Sequence, residues 1–154
     1  KDDINNLFEY YTKSRGQGLG VEILRRIMVG TFCLSSESYE AYYLKAQKVR
    51  TLLIEDFKNA FSKVDLIAGP VSPTAAFKLN SKANNPLEMY QCDALTIPSN
   101  CAGIPGISVP AGFTNTGLRV GLQLLAPHFM EGKLFSAAQV VENEFKCFSQ
   151  VPSL

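Results

Sequence analysis

The stretch SESYEAYYLKAQKVRTLLIEDFKNAFSKV, residues 36–64, runs directly into DLIAGP, residues 65–70, and the two together decide the fold class. In the first, Tyr39, Tyr42, Tyr43, Ala46, Val49, Leu53, Phe57, Ala60, Phe61 and Val64 recur every three or four positions. That period places them on one face of a helix. Lys45, Lys48, Arg50, Glu55, Lys58 and Lys63 fall mostly between them, and Ser35 and Ser36 offer a hydroxyl to cap the helix start. The spacing predicts a helix of about 27 residues, about 40 Å long at 1.5 Å per residue, enough to lie across a whole domain. The second stretch is short, apolar and stopped by Pro70, the pattern of a buried strand.

Downstream, residues 105–110 and 118–125 read as two further apolar strands, and Asn115, Thr116 and Gly117 between them favour a hairpin or near neighbours. Leu134, Ala137, Ala138, Val141, Phe145 and Phe148 give residues 129–148 a second amphipathic helical period. Between these lie a long loop, residues 71–85, and a helix start at Asn84, Asn85 and Pro86, with proline in the first turn. Upstream, residues 21–31 read as a short helix carrying Arg25 and Arg26 on or beside its apolar stripe. Residues 1–20 are polar and interrupted by Gly16, Gly18 and Gly20. Without a strand before it, that glycine spacing reads as a flexible connection rather than a dinucleotide loop. Three or four apolar strands covered by long helices make the fold class α/β. No repeat and no internal domain boundary stands out.

With 154 residues, 15 Lys+Arg against 14 Asp+Glu, and 46% hydrophobic residues, the sequence is that of about one ordinary globular domain. A net charge of +1 lacks the basic excess that sequence-independent nucleic-acid binding needs. No apolar run reaches the 18 or so residues of a membrane span, which points away from a membrane partner. The sequence starts at Lys1 with neither Met nor a signal-like segment, and reads as part of a longer polypeptide. Cys33, Cys92, Cys101 and Cys147 form no C-x-x-C. They read as free thiols of a reducing compartment, not as a disulfide framework or zinc site.

The single histidine, His128, restricts nucleophilic mechanisms, and its place after Pro127 in a loop suits a solvated or core-edge residue. Gly106-Ile107-Ser108-Val109-Pro110 begins like a G-x-S-x-G elbow. It ends in proline with no obvious helix after it, so Ser108 reads as a strand residue. Asp2 and Asp3 lie at the terminus, while Glu131, Glu142 and Glu144 fall on a solvent-facing helix, so no carboxylate pair suggests glycosidase chemistry. No P-loop occurs. Two charged sites are left: Arg25-Arg26 in an apolar stretch, and Asp93 in a weakly charged one. A guanidinium and a separate carboxylate suit a zwitterionic ligand, the first forking onto a carboxylate and the second accepting from an ammonium. An internal Arg–Asp salt bridge explains the same residues, and both readings stand at this point.

Several blocks resemble the amidase-signature family. Residues 25–31, RRIMVGT, resemble its R-R-I-M-L-G-T, and residues 41–50, AYYLKAQKVR, its A-Y-Y-x-K-A-Q-K-V-R. Residues 86–90, PLEMY, with Asp93 resemble P-L-x-M-Y-x-x-D, and residues 100–110 and 121–124 continue the series in order. More narrowly, the pattern resembles that of the glutamine-hydrolysing subunits of tRNA-dependent amidotransferases. The resemblance implies an α/β/α layered fold with a mixed central sheet and long covering helices, residues 1–154 being the C-terminal portion of one domain. It implies hydrolysis of glutamine to glutamate and ammonia, passed to a partner subunit that uses ATP and Mg to convert Glu-tRNA(Gln) to Gln-tRNA(Gln). The expected partners are therefore glutamine and the B and C subunits of the amidotransferase, with the tRNA bound mainly through the B subunit. The compartment would be a bacterial cytoplasm, a mitochondrial matrix or a plastid stroma.

The family's catalytic Lys, cis-Ser and nucleophilic Ser sit in a Gly/Ser-rich region upstream of these blocks. No such region occurs here, so no catalytic residue is assigned in residues 1–154 and the isolated segment is expected to be inactive. By the resemblance, Arg26 grips the substrate α-carboxylate and Asp93 its α-amino group, which favours the ligand reading over the salt bridge. The sequence departs from the family at Ala68-Gly69-Pro70-Val71, where L-T-P-T is usual. Two other readings remain: an amidase-signature hydrolase of uncharged amides, and a non-catalytic interaction protein.

Overall fold

The structure, a computed structural model, describes residues 6–79, 81, 82 and 85–150. It divides into two compact units, Lys1–Val49 and Arg50–Leu154.

The first unit opens with α1, Leu7–Gly18, in place of the expected flexible connection. Local interactions explain the helix. Asn6 Oδ1 accepts from the Glu9 amide at 2.8 Å, which satisfies an otherwise unpaired donor of the first turn. Glu9 and Lys13 pair at 3.0 Å one turn apart. Gly16 and Gly18 fall in the last turn, where they interrupt little. Asp2 and Asp3 lie outside the described residues. The expected helix at residues 21–31 is α2, Val21–Cys33. After it, Ser35 Oγ donates back to the Phe32 carbonyl at 2.7 Å, and the Ser35 carbonyl accepts from the Ser38 and Tyr39 amides. Ser35 thus closes a turn instead of capping the long helix. That helix starts later than expected, with a π-helical turn at Tyr39–Leu44 that leads into α3, Lys45–Phe61. Within the turn the Tyr39 and Tyr43 rings stack at 5.0 Å, and the Tyr42 ring meets Phe32 edge-on at 5.5 Å.

The second unit is built on three strands, β1 (Ile67–Pro70), β2 (Gly106–Phe113) and β3 (Arg119–Leu125), in the order β1-β3-β2. Every pairing among them is antiparallel, and β2 and β3 form the hairpin expected from Asn115-Thr116-Gly117. Ile107 lies opposite Leu124 and Val109 opposite Leu122, so period-2 alternation turns all four to one face. There they meet Leu134 and Ala138 of the last long helix, Glu131–Phe145, with Ala126 closing the cluster.

Both outer strands contain a proline, Pro70 and Pro110, whereas central β3 has none. Proline has no amide to donate and is tolerated only at sheet edges. Beyond Pro110 the pairing skips Ala111, and Gly112, at φ +148°, carries the bulge. Two short helices precede the hairpin. The first is α4, Pro86–Gln91, with Asn85 Oδ1 accepting from the Glu88 amide. The second is α5, Ile97–Ala102, which periodicity over six residues could not reveal, and the helix at Glu131–Phe145 is therefore α6. The loop between β1 and α4 is as long as expected. Among the described residues no helix is long and apolar enough to cross a membrane.

In the intact protein, Leu134→Ala should cost about 2–4 kcal/mol by urea denaturation, since Leu134 is 3% exposed at the centre of the cluster. Among the described residues β1 and β2 are the outer strands of the sheet and each leaves one edge unpaired, so the isolated 154-residue polypeptide should aggregate; a monodisperse species with a sharp melt would contradict this. Lys133 Nζ lies 2.6 Å from Asp65 Oδ1, and its hydrogen bond and charge hold the Asp65 carboxyl below its ordinary value of 3.8. A lowered folded-state pKa stabilises above the unfolded value, and that contribution disappears as pH falls through the folded one. Lys133→Met should return the Asp65 titration to about 3.8 in a carboxyl-carbon NMR experiment.

Candidate functional site

Arg26 projects from the middle of α2 in the first unit. Its Nε donates to Glu22 Oε1 at 3.0 Å, one turn earlier, and Arg25 Nη1 pairs with the other oxygen, Oε2. One carboxylate therefore serves two guanidinium groups, and these three side chains sum to one positive charge. The Arg26 side chain is 62% exposed. At that exposure Glu22 orients the guanidinium, while the ion pair contributes little stability.

Asp93 belongs to the second unit, in the tight turn that joins α4 to α5. Its amide donates to the Tyr90 carbonyl at 3.1 Å. Its own carbonyl accepts from the Thr96 and Ile97 amides, each at 3.0 Å, and from Thr96 Oγ1 at 3.2 Å. The backbone on both sides of the residue is thereby fixed. The side chain is exposed, and among the described residues its carboxylate makes no hydrogen bond or ion pair. An ionised carboxylate accepts on two oxygens and donates nothing, so one held on a fixed turn suits a cationic donor such as a primary ammonium.

Ser108 sits inside β2 opposite Gln123, with a proline two residues on and strand continuing to Phe113. It is a strand residue and not a nucleophile elbow, in line with the proline at the last motif position. A Cβ on its neighbour Gly121 would come within 3.0 Å of the Ser108 hydroxyl and 2.9 Å of Val71 Cγ2, so glycine permits this close approach. His128 is exposed in the loop between β3 and α6. It borders an apolar cavity of about 280 Å³ formed with Ile54, Phe57 and Phe61 of α3 and with Ala102 and Ile104. A second cavity of about 470 Å³ lies under the loop that begins at Pro70 and Val71, where the sequence departs from the family pattern, with Phe77, Thr114 and Arg119 on its wall. Asp93 lines neither of these two.

Arg50, inside the AYYLKAQKVR block, is a structural residue that sequence reasoning missed. Its Nε donates to the Cys101 carbonyl at 2.7 Å, at the C-terminal end of α5. A carbonyl there has no helical partner, and a cation suits the negative end of the helix dipole. The cysteines form no disulfide. Among the described residues no three His, Cys, Asp or Glu side chains gather to hold a metal ion.

The chain is 52% identical over 149 residues to the A subunit of glutamyl-tRNA(Gln) amidotransferase from Trichodesmium erythraeum, an alignment covering 97% of this chain and 31% of that protein. The crystal structure of the A subunit of glutamyl-tRNA(Gln) amidotransferase from Thermotoga maritima superposes with a TM-score of 0.66 at 44% identity, covering 85% of this chain and 29% of that one. A bacterial aryl acylamidase of the amidase-signature enzymes matches with a TM-score of 0.60 at 20% identity, over 81% of this chain and 26% of its own; at that identity the likeness concerns the fold alone. This chain thus spans about three-tenths of the length of the proteins it resembles. Residues 1–135 match the model of the Amidase family, and the chain, with its α/β amidase-signature fold, belongs to that family.

Proposed function

We propose that this chain forms the C-terminal, glutamine-binding part of the A subunit of a tRNA-dependent amidotransferase. The observation that carries the reading is 52% identity to such a protein over 97% of the chain. The assignment of Arg26 and Asp93 to the two charged substrate contacts rests on the resemblance of residues 25–31 and of residues 86–90 with Asp93 to the family pattern.

In this reading the Arg26 guanidinium takes the α-carboxylate of glutamine, and the Asp93 carboxylate takes its α-ammonium. Both residues are exposed in these 154 residues, and exposed ion pairs are weak. The reading therefore requires further polypeptide to cover them, and that polypeptide also supplies the Lys and the two Ser groups of acyl transfer. The serine oxygen attacks the side-chain amide of glutamine and expels ammonia, and water then releases glutamate from the acyl-enzyme. The bound charges hold the amide carbon against the nucleophile. They also reject simple amides, which would leave a desolvated guanidinium and a desolvated carboxylate unpaired.

Ammonia then passes to the partner subunit, which phosphorylates the glutamyl group of Glu-tRNA(Gln) with ATP and Mg. The B and C subunits are the expected partners, and the tRNA is held mainly by the former. The near-neutral charge of this chain gives it no footprint of its own for a polyphosphate.

In the assembled enzyme Arg26→Ala should raise the KM for glutamine by about tenfold or more, given the roughly 1.5–3 kcal/mol of a hydrogen bond to a charged group. Asp93→Asn should act in the same direction, while hydrolysis of an aliphatic amide without α-charges should change little. An unchanged glutamine KM in both variants, or equal losses on both substrates, would replace this reading with that of a hydrolase for uncharged amides. Wild-type assemblies with no hydrolysis of either amide would leave the interaction-only reading.

A further inference from the structure

Gln123 is the one polar residue in the run VGLQLL, residues 120–125, which forms most of the central strand. Alternation along β3 turns Leu122 and Leu124 toward α6, as their membership in the core shows, and turns Gln123 to the opposite face. Its cross-strand neighbours there are Gly69 on β1 and Ser108 on β2. Residues directly opposite one another share a face, and these two are small, so the Gln123 amide is free to extend past them. It does so: Nε2 donates to the Leu95 carbonyl at 3.0 Å, across 28 positions of sequence.

Leu95 lies inside the turn that presents Asp93. Within that turn the Asp93 carbonyl is taken by Thr96 and Ile97, and the Thr96 carbonyl by Ser99 Oγ at 2.8 Å and Asn100 Nδ2 at 2.9 Å. All those bonds are local, so they fix the shape of the turn but not its place on the sheet. The Leu95 carbonyl, by contrast, accepts from a group on the strand that is paired on both sides.

The geometry points to Gln123 as a positioning residue for Asp93: its amide ties the turn that carries the carboxylate to the middle of the sheet and so sets where a substrate ammonium is met. This inference rests on the reading of Asp93 as the contact for the α-ammonium of glutamine. Binding geometry held to within fractions of an ångström needs such support around the contacting group itself. A leucine or methionine at position 123 would fit the apolar run as well, yet would leave the carbonyl without its donor.

The test is a double-mutant cycle in the intact, assembled enzyme, with glutamine and an aliphatic amide as substrates. Gln123→Met keeps the side-chain length and removes the donor. It should raise the KM for glutamine by about three- to tenfold, the range for loss of one neutral hydrogen bond, leave kcat near wild type, and leave the aliphatic amide unaffected. In an Asp93→Asn background the same substitution should have no further effect on glutamine KM, because the group it positions is already gone. Gln123→Glu, which offers a carboxylate to the carbonyl, should reproduce the KM rise and serves as the second variant if Gln123→Met lowers the yield of folded enzyme. Equal effects on both substrates, a change in kcat alone, or a KM effect that persists in full beside Asp93→Asn would overturn the inference while leaving the Asp93 reading intact. If Asp93→Asn by itself leaves glutamine KM unchanged, the reading of Asp93 falls, and this inference falls with it.

Discussion

Central strand β3 is the constraint from which the second unit follows. Paired on both sides, it leaves its backbone donors and acceptors no freedom, and its side chains must alternate between the two faces. One face, through Leu122 and Leu124, meets α6 and makes the apolar cluster. The other carries Gly121, Gln123 and the buried Leu125, with Ile67, Gly69 and Ser108 as cross-strand neighbours. In its middle, Gln123 holds the Leu95 carbonyl of the turn that carries Asp93. A one-residue slip of register would bury Gln123 and expose Leu124, so the core and the turn depend on the same pairing.

The first unit is held together differently. None of its helices contains a buried residue. What holds α1 and α2 is local: a cap at Asn6, one-turn ion pairs from Glu9 and Glu22, and ring contacts among Tyr39, Tyr42, Tyr43 and Phe32. Pairs of this kind each contribute only a few tenths of a kcal/mol at a surface. The Amidase-family match extends over both units, so the exposed apolar side chains of α2, Met28 at 72% among them, belong to a fold of which this chain spans about three-tenths.

What can be read from the sequence divides along the range of the interactions involved. Helices α2, α3 and α6, the hairpin of β2 and β3, and the proline start of α4 rest on periodicity and turn chemistry within a few residues, and each is legible. Four features escape. Helix α1 lacks an apolar period and is sustained by an asparagine cap and one ion pair, signals that composition alone does not weigh. Helix α5 is too short for any period to register. Ser35 and Ser36 have the chemistry of caps, yet the π-helical turn begins only at Tyr39 and Ser35 bonds backward. The antiparallel order β1-β3-β2 depends on partners more than fifty positions apart, which a strand's own sequence does not encode.

The same distinction explains the candidate site. Arg26 and Asp93 stand out because charges are unusual in apolar or weakly charged stretches, and the proposed roles of both rest on the resemblance to the family pattern. Gln123 carries no charge and lies in a block whose pattern is satisfied by strand formation alone, so its bond to Leu95 becomes visible only with the fold. Charge can be read from a line of sequence because it interrupts the local apolar pattern, even where, as at Arg26 and Asp93, the side chain is exposed. Positioning cannot, because an amide that donates across 28 residues has a value set entirely by what stands at the far end. Selectivity for a zwitterion requires both kinds of residue. In the proposed site the charge of Asp93 would supply the attraction, and Gln123, a neutral donor on a strand paired on both sides, would fix the point from which it acts, at a fraction of the desolvation cost that a second ion on that face would bring.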